Sequence, residues 1–335
     1  MAWEMLMYPL TATVAVVSSL VVLYFTSPSL LIQTAMKYYI FASGMQVKFV
    51  GDDRFMFCYG ERGIRRKDKS SILLIHGFTA SKDQWLALFK SLPKDLHLLA
   101  VDLPGHGDTT TPKDDQDVSM SELVGLLHQF VCLLGLDEQP FHIVGTSLGG
   151  AIGGLYTAKY SSHVERLTMI CPAMKTPIES EFSLSIKAAI DLGPDNIDVS
   201  HCRLLPETPE QTQKLLDTCL YHKQPINRQI LKGIIALRED KNIFFLRLFK
   251  SLARQENVTV LVEKAQDITR PTQLVWGEHD ELIDKSGAEL LKEVLPNCER
   301  VDMIERCGHS VNMDRPGAVM KTILVFRGEY DRKNI

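Results

Sequence analysis

Phe141-His-Ile-Val-Gly-Thr-Ser147-Leu-Gly-Gly150 is the stretch on which the reading of this chain turns. Phe141 to Val144 is a short, β-rich run that stops at Gly145, and Ala151 to Tyr160 has the composition of a helix. Strand, sharp turn and helix form the setting in which Gly-x-Ser-x-Gly carries chemistry. The turn drives Ser147 into a sparsely populated backbone conformation, and Gly145 and Gly149 must be small so that strand and helix can approach. The Ser147 hydroxyl is thereby lifted clear of the sheet, at the positive end of the following helix. A serine so placed is a nucleophile in need of a base.

A hydroxyl is a weak nucleophile, so a base must take its proton and an acid must orient that base. With this turn the chain order is serine, acid, histidine. Of ten histidines only His279 and His309 fall in the last quarter. His279 immediately precedes the foremost acid candidate and cannot follow it, which leaves His309 in Arg306-Cys-Gly-His309-Ser, after the strand-like run Arg300 to Ile304. The acid belongs to the loop after Thr272-Gln-Leu-Val-Trp-Gly277, where Asp280 competes with Glu278, Glu281 and Asp284.

Gly-Thr-Ser147-Leu-Gly-Gly, Trp-Gly-Glu-His-Asp280, Cys-Gly-His309-Ser and His76-Gly-Phe-Thr-Ala-Ser-Lys-Asp-Gln-Trp85 together resemble the α/β-hydrolase fold. With the apolar N-terminal segment, Lys82-Asp-x-Trp85 and Pro104-Gly-His106, the chain is similar to the membrane-anchored monoacylglycerol lipases among the α/β-hydrolase domain-containing proteins. The likeness runs over almost the whole chain. One departure lies in a loop: Gly-His-Gly-Asp-Thr-Thr stands where the pattern has Gly-His-Glu-Gly-Thr-Thr. The resemblance implies an α/β fold, with a mostly parallel eight-stranded sheet, helices on both faces and a helical cap insertion. It selects Asp280, through the spacing strand, Gly, two residues, Asp. It makes Ser147, Asp280 and His309 the catalytic residues, and the backbone N–H groups of Phe78 and Leu148 the oxyanion donors. It implies no metal and no organic cofactor. The implied substrates are lipids with a fatty acyl ester, monoacylglycerols such as 2-arachidonoylglycerol, and also lysophospholipids. The alternatives are a carboxylesterase or carbon–carbon bond hydrolase on the same fold, or a non-catalytic membrane partner protein. The last typically loses catalytic residues, and this chain keeps all three.

The 335 residues suffice for one α/β domain with an insertion. A formal charge of −4 gives no basic field, which argues against a nucleic-acid partner. Seven cysteines with no Cys-x-x-Cys pair read as reduced, packed thiols of a cytosol-facing domain, with Cys307 near His309 the one exception considered. No residue pattern names a protein partner.

Residues 1–44 are expected to be a membrane anchor. Met5 to Phe25 carries no charge and is long enough, as a helix, for a hydrocarbon core of about 30 Å, so a transmembrane helix is expected there. The run lacks a basic start and a small-residue cleavage site, so it reads as an uncleaved signal-anchor. Residues 29–43 are expected to form a second helix in the membrane interface. Lys37 and Lys48 follow the run and place the domain in the cytosol, making a single-pass membrane protein. Asn257-Val-Thr259 is a glycosylation sequon that matters only in the opposite orientation. Residues 45–173 and 269–335 read as the core and 174–268 as a helical cap, where the strand rhythm gives way to helical spacing. Phe244, Phe245, Leu248 and Phe249 are candidates for an acyl tunnel or for cap-to-core packing. Asp102 and His106 precede Ser147 and are excluded by chain order; their loop is expected to brace the sheet edge.

Overall fold

Eight strands form one sheet: β1 (Gln46–Gly51), β2 (Met56–Arg62), β3 (Ile72–Ile75), β4 (Leu98–Val101), β5 (Phe141–Thr146), β6 (Val164–Ile170), β7 (Thr272–Gly277) and β8 (Cys298–Ile304). The computed structural model describes residues 2–330 except 192, 194–195 and 199–201; the side chains of 2–10 and 189–190 are also outside the description. The strand order is β1-β2-β4-β3-β5-β6-β7-β8. The leading hairpin joins antiparallel at one edge, and every pairing from β4 to β8 is parallel. The sheet is therefore mixed, with a parallel body. β3, β4 and β5 are buried along their whole length, which is why their sequences run apolar without alternation.

The helices follow in chain order. α1 (Ala2–Thr26) and α2 (Pro28–Ser43) precede the sheet. α3 (Leu86–Ser91), α4 (Met120–Leu133) and α5 (Leu148–Lys159) alternate with the strands. α6 (Glu181–Asp191), α7 (Pro209–Cys219), α8 (Arg228–Ala236), α9 (Asn242–Leu252) and α10 (Gln255–Glu263) fill the interval between β6 and β7, where no described residue is in a strand. α11 (Ser286–Val294), α12 (Val311–Asp314) and α13 (Pro316–Phe326) close the chain. Thr208 caps α7 reciprocally with Gln211, as its Thr-Pro-Glu-Gln sequence predicts. At α4 the Ser119 hydroxyl accepts the Glu122 N–H, while the Ser119 N–H donates to Asp117 Oδ1.

Two helices stand where the sequence predicts them, α1 over the expected 5–25 and α2 over the expected 29–43. Among the described residues no single helix is long and apolar enough to cross a membrane; Thr11–Thr26 and Pro28–Ser43 qualify only together, bent by 116°. Met5 to Leu10, the start of the expected span, have side chains outside the description. The bend has a local cause. Pro28 cannot donate to the preceding turn and suits the first position of a new helix, so α1 stops and α2 begins there. α2 then packs on the helical insertion, with Ile32 and Pro28 against Gly233 of α8. The Tyr24 hydroxyl donates to Asn227 Oδ1 at 2.5 Å, and Gln229 Nε2 donates to the Tyr24 carbonyl at 3.2 Å. Tyr38, Tyr39 and Phe41 stay exposed on α2, Phe41 by 82%.

The aromatic candidates of α9 divide. Phe244 and Phe245 pack on the His106 ring, and Phe245 also meets Phe78. Leu248 is fully buried and does not line the cavity described below; Phe249 does. The packing reading therefore holds for three of the four. Asn257 of the sequon is committed as well, its amide donating to the Ser251 carbonyl at 2.8 Å while its oxygen accepts the Met120 N–H at 3.3 Å.

Three fully buried histidines give the fold a pH dependence. His76 Nε2 accepts the Leu103 N–H at 2.9 Å and its Nδ1–H donates to the Gly77 carbonyl at 2.7 Å. His142 accepts from Arg327 at 3.3 Å and donates to Thr168 Oγ1 at 2.9 Å. Both arrangements require a neutral ring. Burial lowers His76 to about 4 and, with His76 beside it, His106 to about 3; burial and then Arg327 hold His142 well below 6.5. The unfolded chain binds these protons from about pH 6.5 downward while the native state refuses them, so stability falls as pH drops. The expected slope is up to about 1.4 kcal/mol per pH unit for each histidine, fading near pH 4 for His76. Urea unfolding at pH 7 and pH 5 measures it, and His142→Gln should flatten the slope.

Candidate active site

Ser147 sits between β5 and α5 with φ 53° and ψ −120°, a strained turn held from both sides. Its N–H donates to the Ile170 carbonyl at 2.9 Å, and its carbonyl accepts the N–H of Gly150 at 3.0 Å and of Ala173 at 2.9 Å. A Cβ at Gly145 would overlap the Gly149 carbonyl, and one at Gly149 would overlap the carbonyls of Ile75 and His76. The close approach read from Gly-x-Ser-x-Gly is thus present. Leu148 is the first residue of α5, so its N–H has no acceptor within the helix.

The loop after β3 brings His76-Gly77-Phe78 against Ser147. A Cβ placed on Gly77 would lie 3.8 Å from the Ser147 Oγ. The Gly77 N–H donates to Gln84 Oε1 at 3.1 Å, which fixes the His76–Gly77 peptide, and the carbonyl of the next peptide, the one that carries the Phe78 N–H, accepts from His76 Nδ1 at 2.7 Å. Gln84 belongs to a 3-10 turn, Lys82–Trp85, capped by the Ser81 hydroxyl. The turn is anchored by fully buried Trp85 and by a buried ion pair, Lys82 Nζ to Asp102 Oδ2 at 3.0 Å. Asp102 is thus spent on structure, and His106 is walled in by Phe78, Phe244 and Phe245.

His309 and Asp280 meet across the ends of β8 and β7. His309 Nδ1 lies 2.8 Å from Asp280 Oδ2, both residues being buried. Asp280 Oδ1 accepts the N–H groups of Leu282 and Ile283, each at 2.9 Å. The carboxylate therefore has one oxygen fixed by backbone and the other turned to the imidazole. The rival acids are engaged elsewhere: Glu281 with Lys223, Glu278 beside His279, and Asp284 at the Ser286 N–H. The histidine loop is tied to the helical insertion, since Asp314 Oδ2 accepts the Gly308 and Tyr221 N–H groups and Ser310 N–H donates to the Cys219 carbonyl. Cys307 is buried, and burial pushes its thiol up to about 12, which fits a packed thiol.

Ser147, Leu148, Phe78 and His309 line a cavity of about 1100 Å³. Its walls are mostly apolar, drawn from Met174, Ile186, Leu215, Leu252 and others of the insertion, and from Met36 of α2. Such a volume suits one long acyl chain with a small polar head. Gln84 and Met36 were not singled out from the sequence. The Ser81-x-Asp83 cap could have pointed to Gln84; nothing in the sequence placed Met36.

Residues 71–316 match the alpha/beta hydrolase fold family. The chain belongs to that family. It is 40% identical over 300 residues to the monoacylglycerol lipase ABHD6 of Homo sapiens, covering 89% of this chain and 87% of that protein. It is 29% identical over 241 residues to lipase 1 of Psychrobacter immobilis, covering 71% of this chain and 70% of the relative. Among solved structures it is similar to a membrane phospholipase A described as a bacterial virulence factor, with a TM-score of 0.79 and 25% identity over 95% of this chain and 97% of that one.

Proposed function

We propose that the protein is a membrane-associated serine hydrolase that cleaves monoacylglycerols to fatty acid and glycerol. Ser147 attacks the ester carbonyl and His309 Nε2 takes its proton. Asp280 keeps the other imidazole proton on Nδ1 and stabilises the imidazolium. The Phe78 and Leu148 N–H groups receive the charge that builds on the carbonyl oxygen. His309 then protonates the departing glycerol, and water releases the fatty acid. The scheme uses no metal or organic cofactor.

The observation that carries the reading is a strained serine and a carboxylate-oriented histidine opening on one large apolar cavity. The 40% identical relative is a monoacylglycerol lipase, which supports this substrate class. Residues 45–173 and 269–335 form the core in this reading, and 174–268 the cap. The bent pair α1 and α2 anchors the domain to the membrane, with Tyr38, Tyr39 and Phe41 at the interface and Lys37 and Lys48 on the cytosolic side. Substrate leaves the lipid phase beside Met36.

Fatty-acid release from monooleoylglycerol in detergent, with labelling by a fluorophosphonate, tests this. Ser147→Ala is expected to lose about 10³-fold or more in turnover and all labelling. Labelling at Ser147 without turnover of monoacylglycerol would keep the chemistry and reject the substrate. Neither labelling nor turnover in wild type would reject both.

A further inference from the structure

Cys171 is the residue just past β6, and the reading of the reaction leaves it without a task. It is fully buried and has a positive φ of 41°, unusual for a residue with a side chain. Its sulfur, a carboxylate oxygen of Asp280 and a ring nitrogen of His309 all lie within 4.8 Å of one another. All three residues are more than nine-tenths buried. A thiol, a carboxylate and an imidazole converging at one point are the donor set of an open zinc site, three protein ligands with a fourth position free.

We propose that Cys171, Asp280 and His309 form an inhibitory site for a soft or borderline divalent cation of the zinc and cadmium type, bound by Cys171 Sγ, Asp280 Oδ2 and His309 Nδ1. Bond lengths of about 2.0–2.3 Å at tetrahedral angles put such ligand atoms roughly 3.3–3.6 Å apart. The His309–Asp280 contact of 2.8 Å must therefore open by about half an ångström, and the imidazole lies on the cavity, where it has room to move. The unmetallated thiol holds its proton: burial, then the Asp280 charge beside it, raise Cys171 well above the ordinary thiol range. A cation reverses that preference.

The step balances with one proton. Cys171 S–H loses its proton to solvent as the metal–sulfur bond forms. The proton on His309 Nδ1 is displaced and the ring keeps a proton on Nε2 instead, so imidazole stays neutral. Two anionic ligands, thiolate and carboxylate, neutralise the divalent charge. The consequence rests on the reading of His309 as the base: Nε2 is the atom that must accept the Ser147 proton, and in the metallated site it is already protonated. Inhibition is thus a tautomer lock.

Binding is tested apart from catalysis. Cys132→Ser is used throughout, because Cys132 is exposed and its sulfur lies 3.6 Å from His128 Nε2, a competing pair. In a Ser147→Ala background, cadmium titration is followed by the ultraviolet sulfur-to-cadmium charge-transfer band. One equivalent is expected to develop the band, and Cys171→Ala and Cys171→Ser are each expected to abolish it. In the active protein, zinc is expected to inhibit reversibly with chelator, and each Cys171 variant, normalised to its own metal-free rate, should need at least about tenfold more zinc. A band that survives in both Cys171 variants, or unchanged zinc sensitivity, overturns the site. Loss of the band in a protein that turns over no ester would leave the site standing and sink the catalytic reading instead.

Discussion

Asp280→Asn is expected to lower kcat for monoacylglycerol by about 10⁴-fold while the protein stays folded. The reason lies in how the carboxylate is held. Oδ1 accepts two backbone N–H groups, from Leu282 and Ile283, each at 2.9 Å. An amide can keep both bonds only by leaving its oxygen there, so its NH₂ group must face His309. An NH₂ group donates, so Nδ1 must become the acceptor and the ring proton must sit on Nε2. That nitrogen then cannot receive the Ser147 proton. A factor of 10⁴ corresponds to about 5.5 kcal/mol of transition-state stabilisation. The two N–H bonds survive and only the charge-assisted contact to His309 is weakened, so stability should fall by no more than about 2–3 kcal/mol. KM should move little, since Leu282 and Ile283 line the cavity and Asp280 does not. Paired kcat and KM values with a urea midpoint decide it; a kcat within tenfold of wild type would mean that another group orients His309.

What could be read beforehand follows from which constraints are local. The elbow was legible because its strain is made within five residues: Gly145 and Gly149 are glycine for contacts that a Cβ would block. The placing of Ser147, Asp280 and His309 at the end of a strand or in the loop just past it was legible because strands betray themselves by apolar runs. The N-terminal break was legible too, since the uncharged run ends at Phe25 and a second helix was expected from residue 29; the 116° angle between the two was not, because it is set by how α2 docks on α8. The cavity wall was not legible. Met36 reaches it only because α2 docks on α8 some two hundred positions later, through a contact at Gly233. The α9 aromatics were ambiguous for the same reason. Helical spacing says that one face is buried and is silent on whether the neighbour is His106 or a lipid chain. Cys171 looked like one more apolar strand residue, and its place beside Asp280 depends on the β6–β7 pairing.

Lys82→Met is expected to cost about 3–5 kcal/mol of stability and to slow fluorophosphonate labelling of Ser147. Lys82 is 3% exposed and Asp102 is fully buried. Asp102 Oδ1 accepts the Lys82 N–H at 2.6 Å; Oδ2 accepts Lys82 Nζ and the Asp108 N–H, both at 3.0 Å. Burial works against the Lys82 charge, but the attraction of Asp102 and Asp83 outweighs it and its pKa is raised. Methionine fills the same volume and removes the cation, which strands the Asp102 carboxylate away from water with backbone donors alone. The damage should reach the site, because Lys82 opens the turn that carries Gln84, and Gln84 holds the Gly77 N–H behind Phe78. Lys82→Met/Asp102→Asn separates the causes. It removes both charges; the amide oxygen keeps one of the two backbone N–H bonds and the other is lost, a smaller cost than a stranded carboxylate, so the double variant should be more stable than Lys82→Met alone. A double variant no more stable than the single one would mean that lost packing around the turn, rather than the stranded charge, sets the cost.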